Sequence, residues 1–252
     1  MPTEPAALPM SPEAYRAMPH RLGWRHEYLD GVAYLTPSES AIVVWEKDLA
    51  ASGPATPRPE GPRLAGATPR EAGPGDRDAL VELFLAAFDD GPEYCGCPDD
   101  AYRGDAEATA DGGGRIHVLD GNGALRGAIV VTGRGGLPTV EPVMVAPGVR
   151  RRGVAGALLE AAIGAAVADG ATRLRSHSHL ANAGSVAWHA ASGFVEVPHR
   201  PTIAARLAHA RSLAEHHARA GDAAAAARER AAAARLEASL GELGPRADPL
   251  RG

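Results

Sequence analysis

The sequence predicts a mixed α/β fold around one mixed sheet, preceded by a small N-terminal β-hairpin unit and followed by an Ala-rich helical hairpin. Three features of the chain predict this class. An alternating strand pattern at Val143–Val145 runs through a glycine-bearing turn into a long helical pattern. Asp30-Gly31 separates two apolar runs, which is a strong hairpin signal. From Ala208 onward alanine, arginine, glutamate and histidine dominate, and this composition favours helices.

Residues 1–50 are predicted to form the small N-terminal unit. Ser11 followed by Pro12 predicts a helix start, because serine caps a helix and proline fits its first position. Trp24–Leu35 predicts a hairpin, to which Ala41–Trp45 could add a third strand. Such a unit would expose apolar strand edges in isolation, so we expect it to dock on another surface.

Residues 51–65 are rich in proline and glycine and predict a linker. Residues 66–207 then predict the main domain, in which strands and helices form a mixed sheet with helices around it. The predicted elements are strands at 67–71, 116–119, 125–132, 139–145, 172–179 and 202–207, and helices at 76–88, within 92–110, from 154 onward and at 182–191.

Residues 208–252 predict a helical extension. Its two helices, at 208–220 and 223–240, are separated by Gly221, and Asp222 caps the second. Alanine side chains bury little surface, so this hairpin should pack on the rest of the chain or on another subunit. A dedicated partner-binding arm is the alternative.

Charge and motif content argue against a function on nucleic acids. The 252 residues carry a net charge of -5 with a pI near 6.1, so no broad basic surface is predicted. The strings Tyr15–Pro19 and Glu27–Gly31 resemble the N-terminal hairpin of a family of restriction-endonuclease-like proteins. This resemblance stops before the acidic and lysine residues that would cut DNA, so nuclease activity is not predicted.

The sequence also predicts no association with membranes. Residues 1–10 lack the basic start and the apolar run of a signal peptide. Glu160 and Asp169 interrupt the best candidate for a membrane-spanning stretch. We therefore expect a cytoplasmic protein.

The cysteines and two neighbouring histidines do not predict a metal site. Cys95 and Cys97 supply half of a zinc site without a second pair, and reduced loop cysteines are the simpler interpretation. His177 and His179 share one face of the strand at 172–179, where we expect them to line a cleft. No metal is predicted.

The turn that follows Val145 has the features of an anion site. Arg150, Arg151 and Arg152 place positive charge there, and Gly153 has no side chain to keep a phosphate away. The next helix begins with unpaired N–H groups and the positive end of its dipole. A pyrophosphate would fit this turn, whereas the alternative is a βα turn whose glycine only relieves crowding.

Two motifs in this order and separation resemble those of the GNAT superfamily of N-acetyltransferases. Arg150-x-x-Gly153-x-Ala155 matches the R/Q-x-x-G-x-G/A pattern of that family. The segment that begins at Asn182 resembles the element N-x-x-A/S-x-x-ϕ-Y-x-x-x-G-F that closes the GNAT core. The resemblance covers residues 64–207, and it implies the GNAT acyl-CoA N-acyltransferase fold with acetyl-CoA as co-substrate.

The same resemblance implies roles for individual residues. Backbone amides of the arginine-rich turn would hold the pyrophosphate, and Asn182 would contact the pantetheine region. An N–H near Met144 or Val145 would polarise the thioester carbonyl. The implied cofactor-binding residues are Val143, Met144, Val145, Arg150, Arg151, Arg152, Gly153, Val154, Ala155 and Asn182.

Two residues are candidates for catalysis. Glu141 shares a face with Val143 and Val145 by strand alternation, and it is the candidate base for the acceptor ammonium. A surface carboxylate is the alternative. His189 stands where many GNAT members have a tyrosine that protonates the departing thiolate. It is the candidate acid, with a packing role as its alternative.

The sequence therefore predicts an N-acetyltransferase that transfers the acetyl group of acetyl-CoA to a primary amine by direct attack in a ternary complex. The acceptor would be a small molecule or a protein, and the loops around its pocket carry no motif that identifies it. The alternative is a non-catalytic acyl-CoA-binding module that recruits a partner through its flanking regions. A homodimer could form through the C-terminal helices or the N-terminal hairpin.

Overall fold

The computed structural model describes residues 6–18, 22–37, 41–50, 67–89, 99–121, 123–133 and 137–243. The chain divides into two compact units. The first comprises Met1–Val44, Ser178–Trp188 and Glu196–Gly252, and the second comprises Trp45–His177 and His189–Val195. The domain boundaries suggested by the sequence stay predictions. The predicted linker and both cysteines lie outside the described residues.

The strands and helices of the described chain include runs of consecutive strands and an alternating segment from Thr139 to Arg219. In chain order they are β1 (Ala6–Pro9), α1 (Pro12–Ala17), β2 (Trp24–Leu29), β3 (Val32–Pro37), β4 (Ile42–Asp48), β5 (Arg70–Glu71), α2 (Arg77–Phe88), α3 (Asp99–Asp111), β6 (Arg115–Gly121), β7 (Ala124–Thr132), β8 (Thr139–Val145), α4 (Val154–Ala168), β9 (Arg173–His179), α5 (Ala183–Ala191), β10 (Val195–Val197), α6 (Arg200–Arg219) and α7 (Ala223–Glu242).

A three-stranded antiparallel sheet in the order β1-β3-β2 forms part of the first unit. Leu29 pairs with Val32 across the predicted turn, where Asp30 and Gly31 have positive φ angles of 50° and 81°. Two positive φ angles fit the tight turn that matches the twist of paired strands. The predicted hairpin is therefore confirmed, whereas β1 was not predicted.

The helix caps predicted from the sequence are present in the structure. The Ser11 Oγ accepts a hydrogen bond from the N–H of Ala14 at 3.1 Å, at the start of α1. The Asp222 side chain accepts from the N–H of Ala225 at 2.9 Å, at the start of α7. Gly221 separates α6 from α7 with a φ of 78°, a backbone angle that glycine adopts readily.

The strand predicted near residues 202–207 is wrong, because this segment lies within α6. Its buried apolar residues Ile203, Leu207, Ala210 and Ala214 recur every three or four positions, which is the spacing of one helix face. Leu207 and Ala210 pack with Ala233 of α7 in a small apolar cluster. The Ala-rich helical hairpin is therefore longer than the sequence suggested.

The larger sheet has seven strands in the order β10-β4-β9-β8-β7-β6-β5. Strands β5 to β8 pair antiparallel with their neighbours, while β8 and β9 pair parallel. This mixed sheet with helices confirms the predicted fold class.

β4 lies inside this larger sheet, between β9 and β10, so its prediction as a third strand of the N-terminal hairpin is wrong. Backbone hydrogen bonds join Leu49 N to Thr172 O at 2.8 Å and Leu180 N to Ala41 O at 2.7 Å. These two bonds lie at opposite ends of the strand, so β4 runs antiparallel to β9. Val43–Trp45 is buried throughout, as expected for a strand covered on both faces.

Helices pack on both faces of the sheet in the second unit. Side chains of α2 and α3 share one core cluster with alternate residues of the strands; its members are Leu80, Val81, Leu83, Phe84, Ala106, Ile116, Val118, Ala128, Val130 and Met144. Gly127 points to the opposite face of β7, against Val154 and Leu158 of α4. The turn from Ala146 to Gly153 joins the end of β8 to the N-terminus of α4.

Candidate active site

The turn between β8 and α4 has the geometry of an anion-binding helix start. A short 3-10 turn at Pro147–Val149 leads to Gly153, which precedes α4 with a φ of 79°. Glycine suits this left-handed angle because it has no Cβ. The first turn of the 15-residue helix contains no acidic residue, and Gly153 offers no side-chain cap. The first amide groups and the dipole of α4 are therefore suited to an anion.

The three arginines of this turn are exposed, but their environments differ. The Arg150 guanidinium donates a hydrogen bond to the carbonyl oxygen of Ala87, at 2.8 Å, near the end of α2. Arg151 has a φ of 64°, which is uncommon for a residue with a side chain. Arg150 thus helps to fasten the turn to α2, while Arg151 and Arg152 add positive charge at its surface.

One edge of β8 is open next to this turn. β8 pairs with β9 only at Thr139 with Arg175 and at Val140 with Ser176, and the pairing ends there. Towards β7 the register shifts at the same point, because Glu141 and Pro142 together oppose a single residue. Such a bulge bends a strand and re-aims its side chains. The alternation that predicted a common face for Glu141 and the later valines is therefore interrupted.

Glu141 and His177 meet where β8 and β9 separate. Oε1 of Glu141 is in hydrogen-bonding contact with Nδ1 of His177. The side chains are 25% and 17% exposed, so solvent screens this pair only partly. Nε2 of His177 is buried and has no hydrogen-bond partner among the described residues. The predicted candidate base is therefore half of a carboxylate–imidazole pair.

His189 is enclosed by other side chains of the second unit. It is 2% exposed, and its Nε2 lies 2.8 Å from the Ser176 Oγ. Its ring stacks on Trp45, with centroids 5.3 Å apart and planes at 10°, and meets the edge of Phe194. A proton donor for a thiolate has to reach the substrate. This enclosure favours the packing alternative and gives the acid role no geometric support.

Asn182 has the local role that its position predicts. Its Oδ1 accepts a hydrogen bond from the N–H of Ser185 at 2.9 Å, which caps α5. Asn182 belongs to the first unit. Its contact with pantetheine stays a prediction, as does the assignment of Val143, Met144, Val145 and Val154 to the cofactor.

Side chains of β8 and the start of α4 limit how these residues could contact a ligand. Met144 and Val154 are 1% and 2% exposed, so their side chains belong to the core. Val143, Val145 and Ala155 are half-buried. Contacts of Met144 or Val154 with a bound molecule would therefore have to come from backbone atoms.

The described ranges contain neither a metal-binding cluster nor a membrane-spanning helix. In these ranges no group of three or more His, Cys, Asp or Glu side chains could hold a metal ion. Across that part of the chain, no helix combines the length and the apolar character needed to cross a membrane.

Sequence reasoning placed His177 at a cleft but did not pair it with Glu141. The contact between Glu141 and His177 depends on the register of β8 against β9. These parallel strands are connected through α4, so no short turn in the sequence indicates their register. Trp45 and Ser176, which enclose His189, were also missed. The signal for Trp45 was the unbroken apolar run of β4, since strands buried on both faces have such runs.

Comparisons with known proteins place this region in a family. Residues 77–194 match the family model described as the Acetyltransferase (GNAT) family. No curated protein matches the chain significantly.

Several solved structures resemble the chain. The aminoglycoside N-acetyltransferase AAC(6')-Iy in complex with CoA is 23% identical, with 55% of this chain and 93% of that chain covered and a TM-score of 0.43. A GCN5-related N-acetyltransferase from Sphaerobacter thermophilus is 20% identical, covering 62% and 48%, with a TM-score of 0.45. A GNAT-family acetyltransferase from Staphylococcus aureus Mu50 is 16% identical, covering 53% and 87%, with a TM-score of 0.46.

The matched segment contains both sequence motifs, the open edge of β8 and the turn before α4. Residues 77–194 of this chain therefore belong to the GNAT family of acetyltransferases.

Proposed function

We propose that the protein is an N-acetyltransferase that moves the acetyl group of acetyl-CoA to a primary amine by direct attack in a ternary complex. The observation that carries this proposal is the open edge of β8 beside an anion-binding helix start. Backbone amides of Arg151–Ala155 would hold the pyrophosphate. An N–H near Met144 or Val145 would then polarise the thioester carbonyl along the open edge.

Transfer should be measured as thiol release from acetyl-CoA in the presence of small amines, amino sugars and peptide amines. The expected result is amine-dependent release with formation of the acetylated amine. Binding of acetyl-CoA without transfer to any of these acceptors would favour the alternative of a non-catalytic acyl-CoA-binding module. The cytoplasmic location and a homodimer remain predictions.

Two substitutions of one residue test the cofactor site. Asn and Asp both tolerate the left-handed backbone of Gly153 better than other residues with side chains, and they have nearly the same size. Gly153→Asp should weaken acetyl-CoA binding by about 100-fold, because its charge faces the pyrophosphate. Gly153→Asn should weaken it by less than about tenfold, since it adds bulk without charge.

Titration calorimetry would measure both affinities, and thermal unfolding would check that both variants fold. Asp is also a good helix cap, so the Asp variant should be at least as stable as the Asn variant. Equal affinities in the two variants would show that no phosphate lies at this turn.

A further inference from the structure

His177 lies at the point where β8 and β9 stop pairing. Val140 and Ser176 form the last pair between β8 and β9, and the next residue on each strand is Glu141 and His177. The two side chains are therefore located where the open edge of β8 begins. A thioester bound along that edge would have its acceptor amine near this pair.

The two ring nitrogens of His177 have different environments. Nδ1 is held by the Glu141 carboxylate, which fixes the ring orientation and the tautomer with hydrogen on Nδ1. Nε2 then carries a lone pair, and it is buried without a partner among the described residues. A buried polar atom without a partner is costly, so the N–H of a bound substrate is a suitable partner.

We propose that His177 is the general base of the transfer and that Glu141 is its positioning residue. This inference rests on the proposed N-acetyltransferase function and names the atom that accepts the acceptor's proton. The amine nitrogen attacks the thioester carbon, so a C–N bond forms and the C–S bond breaks. Nε2 takes one proton from the acceptor ammonium and releases it to solvent. The second proton leaves the nitrogen as the C–S bond breaks and passes to the thiolate sulfur, which leaves CoA as a thiol and His177 neutral. No proton from His189 is needed.

Two charged side chains near His177 are Arg175, which is paired with Glu46, and Glu141, which contacts His177 itself. Arg175 shares its face of β9, and the Arg175 guanidinium is held by Glu46 of β4 at 2.7 Å. β8 contributes the carboxylate of Glu141 and has no other titratable side chain. His189 of α5 contacts Ser176, which points to the other face of β9. Glu141 is thus the charge that directly contacts His177 and stabilises its protonated form.

The test compares His177→Asn, Glu141→Gln and the double variant with the wild-type protein, using an amine that the wild type acetylates. His177→Asn keeps an N–H group beside Glu141 but removes the basic nitrogen. Its kcat/KM at pH 7 should fall by about 100-fold or more, with an unchanged Kd for acetyl-CoA. Glu141→Gln should cost about 10- to 100-fold, and the double variant should be no slower than His177→Asn.

His117→Asn is the matched control. His117 is also buried, and its Nε2 also has no partner among the described residues, but it lies on β6. Burial lowers the pKa of His117, which favours its neutral form. This variant should keep the wild-type rate within about twofold. The substitution changes local packing around β6 but leaves the proposed base, His177, in place.

The pH profile separates a base from a packing residue. The wild-type rate should depend on pH less steeply than the rate of His177→Asn, because His177 supplies a base that the variant lacks. The rate of His177→Asn should keep rising by about tenfold per pH unit until the amine deprotonates unaided.

Each outcome decides between the alternatives. A wild-type protein that binds acetyl-CoA and acetylates no amine would overturn the proposed function together with this inference. An active wild type with an equally active His177→Asn variant would overturn the base assignment alone. A slow His177→Asn variant with the wild-type pH profile would reduce His177 to a structural role. A slow Glu141→Gln beside an unaffected His177→Asn would make Glu141 the base itself.

Discussion

Asp76 shows how much a single exposed ion pair is expected to contribute. Its two carboxylate oxygens accept hydrogen bonds from the Arg70 guanidinium at 2.7 and 2.8 Å, and one also accepts the N–H of Gly73 at 2.7 Å. Arg70 also binds Asp120. The hydrogen bonds from Arg70 have the largest effect and that from Gly73 the next largest, and together they lower the pKa of Asp76 to about 2. The folded state therefore binds a proton at Asp76 less readily than the unfolded chain does.

Asp76→Asn should lower the Tm at pH 7 by about 2–4 °C, because it weakens one charged hydrogen-bonded pair. The folded pKa lies below the ordinary value of 3.8, so the stabilisation is complete above that value and is lost as the pH falls through about 2. Thermal unfolding between pH 7 and pH 2 would measure the difference in Tm between the wild type and Asp76→Asn. This difference should become smaller as the pH falls. Asp78→Asn is the control, since its side chain is 96% exposed. Equal shifts for both variants would contradict this expectation.

Two glycines on either side of the contact between β7 and α4 should respond oppositely to the same substitution. A Cβ on Gly127 would lie 2.5 Å from Val154 Cγ1 and 3.0 Å from the carbonyl oxygen of Met144. Gly127→Ala should therefore destabilise the protein by about 1–3 kcal/mol. Gly164 lies within α4, and a Cβ there would meet nothing within 4 Å. Gly164→Ala should stabilise it by about 0.5–1 kcal/mol.

Chemical denaturation would give the free energy of unfolding of both variants. The sign of the change distinguishes close packing from a general effect of alanine. A Gly127→Ala variant as stable as the wild type would show that α4 can move away from β7 without cost.

At the scale of elements, local patterns predicted most strands of the main sheet, including β5 at one edge, but failed for β4 and for residues 202–207. The β8 strand, the turn and α4 were predicted because their apolar periods are clear. The sequence predicts residues 202–207 as a final strand of the mixed sheet, whereas the apolar spacing of Ile203, Leu207 and Ala210 follows a helical period. Alanine, arginine and leucine in this segment favour a helix, and its apolar face packs on α7.

For the whole molecule, the sequence predicted the fold class and the turn that leads into α4, but not which strands meet. The pair Glu141–His177 and the stack of Trp45 on His189 join residues far apart in the chain. Neither contact follows from a motif, because each depends on the register of non-local strands. The proposed catalytic pair was therefore less accessible from the sequence than the proposed pyrophosphate turn, which is formed by one continuous segment.

Trp45 tests how much β4 contributes to the stability of the main sheet. Its side chain is 4% exposed and stacks on His189, so Trp45→Ala should cost about 3–5 kcal/mol. Tyr34→Ala, in β3, is the aromatic control and should cost far less, because Tyr34 is 40% exposed. Denaturant unfolding followed by circular dichroism would measure both. A small effect at Trp45 would mean that β4 contributes little to the stability of the sheet.

The place of β4 also constrains how the chain reaches its fold. β4 ends at Asp48, whereas its neighbours in the sheet begin at Arg173 and Val195. A nascent chain leaves the ribosome from its N-terminus, so the apolar residues Val43–Trp45 emerge long before either neighbour has been synthesised. Contacts between such distant segments close a large loop and slow folding. The sheet is thus completed only after β10 has been made, and until then β4 is a segment that chaperones can bind.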